Sequence, residues 1–383
     1  MPLSRDADYA TYLYTCNRCR ACTTVRDRPE LMVCPSFTRA GFFAYSGGGR
    51  GYMAQGVLEG RVPPSLEAAE VALHCTLCHA CQTMCPPGFE TTHFIRDLRD
   101  WLVRRGVYAN DAHRRILENM RRYGNPGGAS RRVPAGAPGR SPLLTESKGA
   151  EALLFLGCHS RSGKNFLAGL QKIARAAEAK LAVLPDEPCC GNPALELGDR
   201  DLFASMAEKN LERLNAAQFE RIITWCPHCA STLVNDYPEF GDLAPEVIHV
   251  SEWIAELLDQ GRIGLADTGA EISVTFHDPC HLTRYLERGE SPRQVLAQVP
   301  GLELREMERS GESAYCCGGG SFVYQIMPKL WRATARERIA EALATEARQV
   351  VTACPYCQAS LSQVAANKLE VVSLLDLIAE RLA

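Results

Sequence analysis

The sequence has no excess of either charge. Its 42 Lys and Arg stand against 45 Asp and Glu, a net of −3. A dedicated nucleic-acid binder would normally show a strong basic excess, so that class is set aside. Long apolar runs are also missing. None approaches the roughly 18 residues that a membrane-spanning helix needs. The opening stretch MPLSRDADYATYLY lacks an apolar signal core. The expectation is a cytoplasmic chain, peripheral at a membrane only through a partner. No G-x-G-x-x-G fingerprint is present, because Gly47–Gly49 and Gly318–Gly320 lack its spacing and context. The rest is ordinary globular composition, 46% hydrophobic and 23% charged over 383 residues. At about 150 residues per domain this suggests two or three domains.

Cysteine is abundant instead. There are 18, and they are grouped. A chain this long does not need disulfides to hold a core, so grouped cysteine in a reducing compartment points to metal. Residues 1–123 contain two cysteine runs and otherwise read as helical, over Gly49 to Leu73 and over His93 to Arg105, where Phe94, Leu98, Trp101 and Leu102 fall at helical spacing. No strand pattern stands out there. Residues 124–150 are rich in Gly, Pro, Ser and Ala and read as a linker. From Arg96 to Lys148 there are 12 basic and 5 acidic residues, either a solvated surface or a docking face for an acidic partner or headgroups.

Residues 151–383 contain an internal repeat. Cys158, Cys189, Cys190, Cys226 and Cys229 recur as Cys280, Cys316, Cys317, Cys354 and Cys357, at offsets of 122, 127 and 128. The local words match as well: PCCGNP with YCCGGG, and WCPHCAST with ACPYCQAS. The reading is a duplicated domain, 151–268 and 269–383. The first copy gives strands at Ala152–Leu156, Leu181–Leu184 and Arg221–Trp225, with helices over Phe166–Lys180 and Asp201–Ala217. The second gives strands at Ile272–Phe276, Leu302–Glu306 and Gln349–Thr352. Short strands separated by helices imply a small parallel sheet per copy, α/β and Rossmann-like in outline. Sites in such sheets lie beyond the carboxyl ends of the strands, where Cys158, Cys226 and Cys354 fall. Pro227 and Pro355 suit the first turn of a helix whose free N–H groups face the thiolates.

The run Cys75-x2-Cys78-x2-Cys81-x3-Cys85-Pro86 is the bacterial-type [4Fe–4S] ligand pattern. Three closely spaced thiolates face one cube and the fourth reaches its neighbour. The run Cys16-x2-Cys19-x2-Cys22 is followed only after eleven residues by Cys34-Pro35. Because that fourth ligand serves the other cube, the insertion is tolerable. Cys16, Cys19, Cys22 and Cys85 are therefore assigned to one cube, and Cys75, Cys78, Cys81 and Cys34 to the other. Zinc in one run is the competing reading. The C-terminal pattern is different, C-x30-CC-x35-C-x2-C and then C-x35-CC-x36-C-x2-C, five cysteines per copy.

This repeat resembles the Cys-Cys-Gly (CCG) domain of heterodisulfide reductases. A helical two-cluster ferredoxin domain joined to two such domains resembles the D-type iron–sulfur chain of heterodisulfide reductase, or its soluble B and C chains fused. More distant relatives are the iron–sulfur subunits of glycolate, lactate and glycerol-3-phosphate oxidoreductases. The resemblance implies two noncubane [4Fe–4S] clusters, one on Cys158, Cys189, Cys190, Cys226 and Cys229, the other on Cys280, Cys316, Cys317, Cys354 and Cys357. A cube or zinc in the second copy remains the alternative. It also implies reduction, or formation, of a disulfide between the two clusters, with single electrons delivered by the ferredoxin cubes.

Cleaving a disulfide with two electrons requires two protons. His159, His228, His277 and His281 lie within a few positions of the C-terminal cysteines and titrate in the useful range. The pair in HDPCH, His277 and His281, brackets Cys280. Each is equally readable as a buried structural histidine or a hydrogen-bond donor to cluster sulfur. Lys164 and Arg161 read as surface. Two functions follow: a heterodisulfide-reductase-like oxidoreductase subunit with a thiol or disulfide substrate, or an electron-transfer subunit linking a flavoprotein dehydrogenase or electron-bifurcating complex to a quinone or membrane cytochrome. Both require a flavoprotein or other electron-donor subunit.

Overall fold

The computed structural model describes residues 13–128, 144–145, 149–160, 166–184, 187–269 and 271–383. The chain forms two compact units. One comprises Met1–Gly128, Asn192–Phe203 and Arg309–Arg338, the other Ala129–Gly191, Ala204–Glu308 and Ile339–Ala383. Most of the Gly/Pro-rich stretch 124–150 lies outside the described residues.

The first unit is mostly helical. The stretch expected as one helix from Gly49 to Leu73 is two, Gly47–Leu58 and Leu66–Leu73. The break falls at Gly60, whose φ is 71°, and at Pro63-Pro64, which cannot donate to a helical ladder. Ser46 and Ser65 start the two helices by accepting from the N–H groups of Gly49 and Ala68. The helix Thr91–Val103 covers the expected amphipathic stretch. Its Phe94, Leu98 and Leu102 join Leu73, Leu77, Phe89 and Leu117 in one core, which also takes in Leu197, Phe322 and Ile326 from the two later segments of the unit. Each such side chain contributes about 1.5–3 kcal/mol by leaving water. One pair of strands has no counterpart in the sequence pattern: β1 (Thr24–Val25) and β2 (Arg28–Met32) pair antiparallel. Only Val25 of their residues is buried and they carry no apolar alternation, and the reversal rests on Asp27 at φ 60°, a backbone that Asp tolerates better than most residues.

The second unit contains two parallel sheets. The first copy supplies β3 (Leu144–Thr145), β4 (Ala152–Phe155), β5 (Leu181–Ala182), β6 (Arg221–Thr224) and β7 (Glu246–His249). The second supplies β8 (Ile272–His277), β9 (Leu302–Leu304), β10 (Gln349–Thr352) and β11 (Glu370–Ser373). Their orders are β3-β5-β4-β6-β7 and β11-β10-β8-β9. Setting β3 aside, both copies have the same order, second-first-third-fourth. Phe155 pairs with Thr224 and His277 with Thr352, positions related by the same offsets of 122 and 128 as the cysteines. The sequence repeat is thus a repeat of sheet register. The strands β7 and β11 escape the sequence pattern because each is only four residues long and starts on an exposed glutamate. Each ends on a helix cap, His249 in one copy and Ser373 in the other.

One buried group gives the first unit a pH dependence. His113, in the helix Asp111–Tyr123, is fully buried, with Nε2 2.8 Å from the Leu197 carbonyl and Nδ1 accepting from the Ala109 N–H. Burial pulls its pKa down to about 4, opposed by the Leu197 carbonyl and assisted by Arg99 and Arg121. A pKa depressed in the folded state contributes stability that is whole above about 6.5 and is lost as pH falls toward 4. At pH 5 the loss is about 2 kcal/mol. Replacing His113 by Gln removes this dependence. The gap in urea stability between wild type and His113→Gln should therefore narrow by about 2 kcal/mol between pH 7.5 and pH 5. A gap that stays constant would show that the ring is not the group being protonated.

Candidate metal centres

None of the eighteen cysteines, all among the described residues, is in a disulfide. In the first unit they are gathered around two cavities. One is lined by Cys16, Cys19, Cys22 and Cys85, together with Phe43, Gly48 and Phe89. The other is lined by Cys34, Cys75, Cys78 and Cys81, together with Gly47 and Arg50. These are the two crossed quartets expected from the spacing. The two C-x2-C-x2-C loops share one backbone. Arg18 and Leu77, just before the middle cysteine, have φ of 60° and 49°, and Arg20 and His79, just after it, have φ of 69° and 67°. Four non-glycine residues in a left-handed conformation are costly, and such strain collects where a loop must wrap a ligand. The thiols are poor anions by themselves. Burial pushes Cys34 up to about 12 and Cys81 well above the ordinary thiol value. A metal core that takes four thiolates supplies the missing positive charge, so both quartets fit an iron–sulfur cube.

The glycine run at 47–49 has a role that the sequence did not disclose. The start of the helix Gly47–Leu58 sits against both cavities. A Cβ on Gly47 would lie 2.7 Å from the Cys81 Cβ, and one on Gly48 would lie 3.4 Å from the Cys16 sulfur and 3.6 Å from that of Cys22. The same unit holds Cys316 and Cys317. The Cys316 thiol is hydrogen-bonded to the thiol of Cys78 and lies 3.4 Å from the Thr76 hydroxyl. The N–H groups of Gly318 and Gly319 point at the sulfurs of Cys316 and Cys317, at 3.2 and 3.4 Å. The CCGGG loop therefore lies directly on the ligand loop of the second cavity.

In the second unit, the five cysteines of the first copy come together. Thiol contacts run from Cys158 to Cys189, Cys189 to Cys190, Cys190 to Cys229, and Cys229 to Cys226. Gly157, at φ 70°, leaves room for the Cys229 sulfur, which a Cβ there would meet at 2.8 Å. The loop ahead of it is tied by Glu187, whose carboxylate accepts from the N–H groups of Leu156 and Gly157 at 2.7 Å each. Asn210 and Tyr237 hold the carbonyls of Cys189 and Cys190. Glu187, Asn210 and Tyr237 carry no motif and were not among the expected site residues.

Of the second copy, Cys280, Cys354 and Cys357 belong to this unit. The histidines divide. His228 and His281 stack, with ring centroids 3.8 Å apart, and His281 stacks in turn on Tyr285 at 4.3 Å. His281 Nδ1 is 3.5 Å from the Cys280 sulfur. His228, in the first copy, is hydrogen-bonded to Cys226 of its own copy and to Cys354 of the other. Burial alone would lower its pKa, yet those two thiols hold it well above the ordinary value. Tyr356 stands at the position of His228 in the second copy and mirrors it, with its hydroxyl 3.9 Å from the Cys158 sulfur. His277 is buried at the end of β8. The side chain of His159, and residues Arg161 and Lys164, lie outside the described residues.

Of the described arginines from Arg96 on, two are taken into the protein and the others are exposed. Arg99 is fully buried and Arg96 nearly so. Arg104 pairs with Asp100 and Asp201, Arg114 with Asp111, and Arg121 with Asp199. Arg96 and Arg99 depart from the solvated-surface reading, whereas Arg104, Arg114 and Arg121 are exposed and agree with it. Among the described residues no helix is long and apolar enough to cross a membrane.

Residues 7–89 match the 4Fe-4S dicluster domain, and residues 152–234 and 274–362 each match the cysteine-rich domain termed CCG. A probable membrane-anchored ferredoxin of Chromohalobacter salexigens is 35% identical over 81% of this chain. The chain covers 47% of that relative, about half its length. The D-type chain of the dihydromethanophenazine:CoB–CoM heterodisulfide reductase of Methanosarcina barkeri is 30% identical, covering 84% of this chain and 80% of that protein. The B-type chain of the fumarate reductase (CoM/CoB) of Methanothermobacter marburgensis is 29% identical, over 79% of this chain and 60% of that one.

The geometry of the glycine run gives a direct expectation. Gly47→Ala drives a methyl group into Cys81 and should cost about four iron atoms per chain, one cube's content. Gly48→Ala meets the tip of the Phe43 ring at 3.3 Å, which a small ring shift relieves, and otherwise ordinary contacts, and should keep full iron. Equal iron in the two variants would show that the helix start does not border the Cys81 site as described.

Proposed function

The chain belongs to the family of heterodisulfide reductase D-type iron–sulfur proteins, and from that membership we propose that it is the subunit in which a disulfide is reduced or formed. It is an iron–sulfur electron-transfer component of an oxidoreductase complex, related to the D-type chain of heterodisulfide reductase and the B-type chain of fumarate reductase. The finer reading has a ferredoxin domain at 1–123, a linker at 124–150, and two Rossmann-like CCG domains at 151–268 and 269–383. Two cubes would be held by Cys16, Cys19, Cys22 and Cys85 and by Cys34, Cys75, Cys78 and Cys81. Two noncubane clusters would be held by the two five-cysteine sets. When bound, these clusters would supply one-electron steps and an iron site for sulfur.

The observation that carries the disulfide reading is the exchange of side chains between the copies. His228 of the first reaches Cys354 of the second, and Tyr356 of the second reaches Cys158 of the first. A disulfide has two sulfurs, and this arrangement sets a cysteine site of each copy beside one ring pair. Reduction takes two electrons and two protons and releases two thiols. His228 and His281, stacked and buried, are placed to hold protons next to Cys226, Cys354 and Cys280, with His277 and His159 as the further candidates. The contact of Cys316 with Cys78 gives electrons a short step from the second ferredoxin cavity to the second Cys-Cys pair. The electron donor would be a flavoprotein or similar subunit. A membrane cytochrome partner is compatible with the membrane-anchored ferredoxin among the relatives. That relative also favours the competing reading, in which the chain is an electron conduit between such partners.

Low-temperature EPR of anaerobically purified, oxidised protein separates these readings, with iron assayed on the same samples. Four clusters predict about 16 iron atoms per chain. A new paramagnetic signal on addition of thiol supports the disulfide enzyme. Full iron with no response to several thiols makes the chain a conduit, and about eight iron atoms plus zinc makes the C-terminal repeat a scaffold. Cys189→Ser should then abolish one noncubane signal and leave both cube signals. Loss of the cube signals in that variant would overturn the division of ligands.

A further inference from the structure

Arg50 is 1% exposed. It sits in the first turn of the helix Gly47–Leu58, and its guanidinium donates to the carbonyls of Val71 at 2.8 Å, Tyr45 at 2.5 Å and His74 at 2.5 Å, and to the Ser36 hydroxyl at 2.7 Å. None of these acceptors carries a charge. A guanidinium is always protonated, and a buried charge normally needs an opposite one. Cysteine supplies negative charge within its reach. Arg50 lines the same cavity as Cys34, Cys75, Cys78 and Cys81. Burial is what raises the Cys34 thiol, and Arg50 is the strongest influence pulling it back down.

The other cavity is differently placed. Its nearest guanidinium groups, on Arg18 and Arg20, belong to exposed residues and lie over the rings of Tyr52 and Phe37 at 4.1 and 5.4 Å. Cys19 is itself exposed. Water and salt screen charges in that setting. Two ligand loops of the same spacing and backbone therefore see unequal fields, one from the buried guanidinium groups of Arg50, which lines the cavity, and Arg99, which donates to the Cys75 carbonyl, and one from screened surface cations.

We propose that Arg50 is the fixed counter-charge of the iron–sulfur cube on Cys34, Cys75, Cys78 and Cys81 and raises its reduction potential. This rests on the reading that the quartet holds a cube. Reduction adds one electron and no proton and breaks no bond, so the cluster with its four thiolates gains one negative charge. A buried cation stabilises the more negative state more strongly, and in a medium of low polarity that difference is large. The cube beside Cys316 is thereby made the better electron acceptor, which draws electrons inward from the exposed cube.

The test is a potentiometric EPR titration of the full-length, anaerobically purified protein, with iron assayed, in wild type, Arg50→Gln and Arg50→Lys. In Arg50→Gln one cube signal should move to lower potential by at least a tenfold change in its reduced-to-oxidised ratio, 59 mV for one electron. The other cube should hold its midpoint, and Arg50→Lys should recover most of the shift. Unchanged midpoints in an iron-replete Arg50→Gln would overturn the proposal and leave Arg50 as a structural clamp. If Arg50→Gln loses the cube, Arg50→Lys decides. Retained iron at the wild-type midpoint supports the charge, and loss of the cube there too overturns it. Wild-type protein without cube signals would instead sink the reading of the quartet itself.

Discussion

Thiolates buried against one another repel, and water is not there to relieve them. That constraint governs most of what surrounds the cysteines. Burial pushes the Cys34, Cys81 and Cys22 thiols up. In the first copy of the repeat, Cys158, Cys189 and Cys229 are also raised, by hydrogen bonds to neighbouring thiols together with burial. Cys226 and Cys354 go the other way, lowered against burial by hydrogen bonds from Cys229 or Cys357 and from His228, while the raised thiols are poor free nucleophiles and well suited to a polynuclear cation. The remaining features are ways of letting sulfur crowd. Left-handed residues flank the middle cysteine of each ferredoxin loop, glycines stand where a Cβ would strike a sulfur, and backbone N–H groups are aimed at Cys316 and Cys317.

Duplication explains how one fold serves two different ends. The two sheets have one strand order and one register, so equivalent positions are defined by geometry and not only by sequence. At those positions the side chains have diverged. His249 caps its helix where Ser373 caps the other, and neutral imidazole does the work of hydroxyl, its pKa pulled to about 4 by burial. His228 and Tyr356 have diverged at a point closer to the chemistry, since each meets a cysteine of the opposite copy. A symmetric pair would set the same group against both copies. This pair sets an imidazole against Cys354 and a phenol against Cys158.

The ferredoxin quartets and the repeat were legible in the sequence because cysteine spacing is itself a geometric statement. Three thiols with two residues between neighbours can face one point, and five cysteines recurring in the same order at offsets of 122 to 128 imply a shared backbone. Most strands were legible too, from short apolar runs ending on a cysteine. What stayed hidden has a common cause. Glu187 acts through its position next to Leu156 and Gly157, 30 residues away in the chain. Arg99 binds carbonyls of Ala72, Cys75 and Glu196 and the Ser321 hydroxyl, a set spread over the whole first unit. Such contacts leave no local pattern. In the basic stretch from Arg96 most described arginines are exposed, as a run of like charges suggests, but Arg96 and Arg99 are buried, Arg99 with its guanidinium spent on carbonyls that the fold brings within reach.

The two ferredoxin cavities then show why motif identity is a weak guide to electronic behaviour. Their loops share spacing, backbone and even the pattern of strained residues, and only their surroundings differ. Cys19 faces solvent, whereas Cys78 is buried and touches the thiol of Cys316. An exposed ligand loop is accessible to a redox partner and changes its environment whenever one docks. A buried loop in contact with the next cysteine set is shielded from that change and meets the same field on every turnover. Electron transfer in one direction needs both properties in one chain. The sequence repeats the ligands, and the helix beginning at Gly47 separates their environments by lying against both.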